Sequence, residues 1–199
     1  MNMAAMSDAT HDIKLLGCGI LRKEIALLIE KNHWPIVTLL MSSGLHNDYQ
    51  KLEKGLNGLL RKHLNDKTIV FYGCCHPLMN KFVAQGHSVR VNGQNCIEML
   101  LGPEMFAEEL QAGAYFLLEE WALNWQQRTS AVFGTNPAII REIFQEDRKY
   151  FLGINTPTSG DFSVQAQDIS RQVGLPLRWM NCNLDRLEMA LANAIAHYR

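Results

Sequence analysis

Short, mostly apolar runs that end at glycine or another small residue alternate along this chain with segments whose large apolar residues recur every three or four positions. Ile13 to Gly17 is the first such run, and Leu21, Ile25 and Leu28 follow it at helical spacing. Pro35 to Met41, then a helix carrying Leu52, Leu56, Leu59 and His63, repeat the pattern. Thr68 to Gly73 is a third strand, Pro77 opens a short helix, and Ser88 to Val91 is a fourth strand. Asn95 caps the next helix, which Gly102-Pro103 breaks from another ending near Gly113. Ala114 to Leu118 reads as a fifth strand. Trp121 to Phe133, and Pro137 to Phe151 closed by Gly153, read as a helical hairpin. Phe162, Ala166, Ile169 and Val173 trace a helix face, Pro176 to Cys182 a last strand, and Leu184, Leu187, Leu191 and Ile195 a last helix.

Strands that are apolar along their whole length are buried on both faces. Separated by helices, they belong to a mainly parallel sheet with right-handed crossovers. The expected fold is therefore α/β: a single three-layer domain over residues 13–199, with helices on both faces of the sheet, after a flexible N-terminal segment at residues 1–12. Enough side chain is apolar, 47% of 199 residues, to offset the entropy of ordering such a core.

The 19 basic and 20 acidic residues leave a net charge of −1, no field for gathering nucleic acid or an anionic membrane. No apolar run approaches the roughly 20 residues of a membrane span, and MNMAAMSDATHD lacks the basic-then-apolar order of an export signal. The expectation is a cytoplasmic protein without nucleic-acid or membrane partners. Five cysteines in that setting argue against a disulfide framework and leave each thiol for packing or for chemistry.

Every strand-to-helix loop of a parallel sheet lies at its carboxyl edge, where ligands bind. Cys18 follows the first strand in GCGIL, His46 the second in SSGLH, Cys75 and His76 the third in YGCCHP, and Cys96 opens the helix after the fourth in QNCIEMLLG. Four successive loops thus bring thiols and imidazoles to one edge. Three thiolates suit zinc, with His76 or His46 as fourth ligand, or an iron–sulfur cluster. Helix N-termini should lower the pKa of Cys96, and less strongly those of Cys18 and Cys75. The competing reading is that cysteine fills strand ends as a small hydrophobe.

Other features carry less. GCGILR begins like a dinucleotide-binding turn, but Arg22 replaces the third glycine and no acidic residue ends the second strand. Glu98 suits helix capping better than acid–base work, Tyr115, Trp121 and Trp125 could line a flat cofactor's pocket but suit core better, and Arg22 and Arg90 could grip an anion but suit solvated surface better. Cys74 and Cys182 read as packing. Gly17, Gly73 and Gly102 sit at abrupt changes of element, where a Cβ is expected to collide.

The ordered set GCGIL, SSGLH, FYGCC, NCIEMLLG and GAYFLLEEW resembles domain-of-unknown-function family 1638 over roughly Ile13 to Trp125, with a looser match in the C-terminal third. Cys18, Gly19, His46, Tyr72, Gly73, Cys75, Cys96, Leu101 and Gly102 occupy the motif positions. Gln94-Asn95, His76 and Leu118-Glu119-Glu120 depart from the pattern. The resemblance implies a companion of corrinoid-dependent methyltransferases. The expected function is then a Cys-ligated metal protein, zinc favoured, acting as enzyme or accessory in one-carbon metabolism with a corrinoid protein or methyltransferase as partner. The alternatives are a non-catalytic partner-binding protein with packing cysteines, and thiol redox or sulfur transfer through Cys74-Cys75.

Overall fold

A computed structural model describes residues 13–198, apart from the His46 side chain. The expected flexible segment, residues 1–12, lies outside the described residues. The chain begins with β1 (Ile13–Cys18), α1 (Arg22–Asn32) and β2 (Ile36–Met41). It continues through α2 (Tyr49–Lys62), β3 (Lys67–Phe71), α3 (Met79–Val83) and β4 (Ser88–Arg90). Two helices, α4 (Cys96–Leu101) and α5 (Pro103–Gln111), lead to β5 (Ala114–Leu117). Then come α6 (Glu119–Leu123), α7 (Trp125–Phe133), α8 (Pro137–Asp147), β6 (Tyr150–Asn155), α9 (Ser163–Val173), β7 (Leu177–Asn181) and α10 (Asp185–Ala196).

The class is the expected one, α/β with parallel strands flanked by helices, but the strands form two sheets. The first runs β2-β1-β3-β4 and the second β5-β6-β7, every pairing parallel. Two helices rather than one separate β4 from β5, and β5 founds a new sheet instead of extending the first. Leu15 and Leu16 are adjacent, so they point to opposite faces of β1, and both are fully buried. That double burial is why the strand reads as a continuous apolar run.

Residues 137–151 are not one helix. α8 stops at Asp147, and Tyr150 to Ile154 are the fully buried central strand of the second sheet. Gly153 is a packing glycine, not a helix stop: a Cβ there would lie 2.6 Å from the Trp179 ring. In α2 the buried stripe is Leu52, Leu56 and Leu60 rather than Leu59.

One core cluster joins β1, β3 and α4 to Leu187, Leu191 and Ile195, so α10 returns to the first sheet. The second centres on Trp125, Phe144, Phe151 and Phe162. Polar bridges tie the carboxyl ends of the two sheets together: Thr156, after β6, donates to the buried Glu24 of α1 at 2.7 Å, and Ser43, after β2, donates to Glu120 at 2.8 Å. Arg128 pairs with the same Glu120 oxygen at 2.5 Å. Among the described residues no helix is long and apolar enough to cross a membrane.

Candidate functional site

The connection from β1 leads to β2 on one side, and the chain then crosses β1 to continue at β3 and β4 on the other. The loops after β1 and β3 therefore diverge, and a crevice opens between them at the carboxyl edge, the usual ligand position in an open parallel sheet. A cavity of about 400 Å³ lies there, between the first sheet and the start of the second. Cys18 closes β1, Cys74 and Cys75 follow β3, and Cys96 opens α4, and all four line it. The β1, β3 and β4 loops thus do what the strand–helix alternation implied.

Two glycines allow this approach. A Cβ on Gly73 would sit 2.0 Å from the Gln94 carbonyl oxygen, so only glycine lets the loop after β3 touch the loop after β4. The Cys74 N–H donates to that same oxygen at 2.7 Å, which fixes the Cys75 loop against the turn carrying Cys96. On Gly17 a Cβ would meet the Phe71 carbonyl at 2.5 Å, which keeps β1 against β3. Gly102 has φ +85° at the junction of α4 and α5. Asn95 caps α4 as expected, its Oδ1 accepting from the N–H groups of Ile97 and Glu98, both at 3.0 Å.

The electrostatics correct one expectation. Burial pushes the Cys18 thiol up to about 12 and raises those of Cys75 and Cys96, so all three are neutral near pH 7. Backbone N–H groups do act in the expected direction, although the one at Cys75 belongs to the loop after β3 and not to a helix N-terminus. The N–H of Ile20 favours the Cys18 thiolate, that of Gly73 the Cys75 thiolate, and those of Cys96 and Ile97 the Cys96 thiolate. Desolvation of the charged sulfur outweighs them. The three thiols also act on one another: each would raise the next through like-charge repulsion, Cys75 on Cys18, and Cys18 and Cys75 on Cys96. All five cysteines are free thiols. Among the described residues, no three His, Cys, Asp or Glu side chains are grouped as a metal ion requires.

The histidines are less engaged. His76 is buried between the rings of Tyr49 and Phe82, and its Nδ1 accepts from the Leu78 N–H at 3.0 Å, but it does not line the cavity. His46 lies in a 3-10 turn after β2, and its side chain falls outside what is described. Cys182 lies in a separate groove beside α4, its Sγ 3.0 Å from the Asn183 carbonyl. Cys74, read as packing, is exposed and lines the cavity, with its sulfur 3.8 Å from an Arg90 nitrogen.

Three further residues of the site are not assigned to it by the sequence: Tyr72 stands only as a motif position, Tyr115 suits core better than a cofactor pocket, and Arg148 carries no signal. Tyr72 is 2% exposed, lines the cavity, and has a buried hydroxyl with no hydrogen-bond partner among the described residues. Cys18 and Cys75 both act electrostatically on it. Tyr115 and Arg148 form part of the opposite wall, with Arg148 just beyond α8 where a continuing helix was expected. Burial pushes the Tyr115 phenol up to about 12, opposed by the charges of Arg148 and Arg128.

The sequence profile described as "Protein of unknown function (DUF1638)" matches residues 40–191. The chain belongs to that family. The match takes in Cys75, Cys96, His46 and His76, begins after Cys18, and extends through the C-terminal third where the motif resemblance is loose. No curated protein and no solved structure matches the chain.

Proposed function

We propose that the cavity binds a soft metal ion through the thiolates of Cys18, Cys75 and Cys96, zinc first and an iron–sulfur cluster second. The protein would serve corrinoid-linked methyl transfer in one-carbon metabolism, as enzyme or accessory. The observation that carries the metal reading is that three loops deliver three thiols to one cavity, each with a backbone N–H that favours its thiolate. Such N–H groups suit a metal-bound thiolate, whose charge the metal also stabilises. The sulfurs are not grouped around an ion. A cysteine side chain turns about a single bond, and binding one ion would need such rotation to bring the three sulfurs together. The orphan Tyr72 hydroxyl then donates to a bound thiolate.

Bound zinc would lower the pKa of a thiol or water at its open position. A cavity of about 400 Å³ suits a small substrate, so a corrinoid would act from a partner protein docked outside. The test is elemental analysis after anaerobic purification. Wild type should hold one metal per chain, Cys75→Ala should lose it as completely as the triple cysteine variant, and Cys182→Ala should keep it. Full occupancy in Cys75→Ala would refute the reading. The ungrouped sulfurs favour a second reading, in which neutral thiols line an organic-ligand cavity of a non-catalytic protein. Metal-free wild type would support it.

A further inference from the structure

The described lining of the cavity contains no Asp or Glu, and its one formally charged residue is Arg148. Among the described residues the Arg148 guanidinium makes no ion pair and no hydrogen bond. Of the other cations nearby, Arg128 is already paired with Glu120 and Arg90 lies against the Cys74 sulfur. Beside Arg148 stands Tyr115, whose hydroxyl likewise has no hydrogen-bond partner among the described residues. The rest of this wall is aromatic: Phe106 and Phe116 stack at 5.4 Å, and Tyr115 and Trp121 lie 6.0 Å apart. At about 400 Å³ the space far exceeds what an ion needs and falls in the range of small-molecule sites.

We propose that the cavity takes a small amphipathic organic anion, its acid group on Arg148 and Tyr115 and its apolar body against the aromatic wall. This rests on the cavity being the functional site, not on a metal being held there. A partly buried cation facing apolar surroundings lacks the counter-charge that would compensate its lost hydration, and a carboxylate or sulfonate supplies it bidentately. A neutral ligand leaves that charge uncompensated, and a cationic one is repelled.

The experiment uses two fluorescent probes with one body: 8-anilinonaphthalene-1-sulfonate, and N-phenyl-1-naphthylamine, which lacks the sulfonate. Wild type should bind the sulfonate at one site per chain, and Arg148→Gln should weaken it roughly tenfold or more, the usual scale for a charged hydrogen bond. Arg148→Lys should restore part of that affinity, and the neutral probe should bind wild type and Arg148→Gln alike. Leu110 lines the cavity and is 39% exposed, which puts it at the rim, so Leu110→Trp should weaken both probes. Equal sulfonate affinity in wild type and Arg148→Gln overturns the proposal. Failure of either probe to respond to Leu110→Trp overturns the cavity as the binding site, and the proposal with it. Zinc content of the same preparations separates the two ideas, since absence of metal defeats the metal reading and leaves the Arg148 result standing.

Discussion

Replacing Tyr72 by phenylalanine should make the metal-free protein more stable and metal binding weaker. The Tyr72 hydroxyl is buried with no partner among the described residues, and the ring around it is 2% exposed. Leaving such a hydroxyl unsatisfied costs about 1–3 kcal/mol, and the phenylalanine ring fills the same space without it. Allowing for some relaxation, the gain is about 1–2 kcal/mol, or roughly 2–8 °C in Tm for a chain of this size. On the proposed metal reading the same hydroxyl would donate to a zinc-bound thiolate, and losing that bond should cost about 1.4 kcal/mol, near tenfold in affinity. Calorimetric melting under reducing conditions, with chelator and then with zinc, reads the first effect, and competition with a chromophoric chelator reads the second. A metal-free Tyr72→Phe protein that melts below wild type would refute the reasoning, because the hydroxyl would then be making a bond worth keeping.

Alkaline stability follows the thiols. An unfolded cysteine ionises near 8.5, whereas folded Cys18 holds its proton to about 12, so its contribution is complete below the unfolded value and declines as pH rises toward the folded one. Urea unfolding of metal-free protein between pH 8.5 and 10.5 should show wild type losing about 1 kcal/mol per pH unit more than Cys18→Ala, and parallel slopes would contradict this. Gly73→Ala forces a Cβ to within 2.0 Å of a backbone oxygen and should cost about 2 kcal/mol or more while separating the Cys75 and Cys96 loops. Denaturant midpoint and metal content should both fall. Thr156→Val leaves the buried Glu24 without its 2.7 Å donor and should cost about 1–3 kcal/mol in urea titration; an unchanged midpoint would mean that this bridge adds nothing.

Most of the first sheet was legible because its central strands, β1 and β3, are buried on both faces and its helices carry regular apolar stripes, as at Leu52 and Leu56. β6 was hidden because Phe144 and Phe151 stand seven apart, a spacing that continues a helix as well as it starts a strand, and because Gly153 resembles a helix stop. The division into two sheets depends on what β5 pairs with, which local pattern does not encode. The convergence of Cys18, Cys75 and Cys96 followed from topology alone. Their protonation did not: a helix N-terminus is visible in the sequence, whereas the desolvation that overrides it depends on which side chains close around the sulfur. Arg148 escaped notice because a cation next to a helix end looks like solvated surface until the opposite wall is known.

X-ray absorption at the metal edge, on anaerobically prepared wild type and Cys96→Ala, tests the joint action of the three thiols most directly. The expected wild-type spectrum has three sulfur neighbours at about 2.3 Å from a single zinc, with sulfur coordination and metal content both lost in the variant. A zinc shell of nitrogen and oxygen alone, or a sulfur count unchanged by Cys96→Ala, would show that Cys18, Cys75 and Cys96 do not bind metal as a unit.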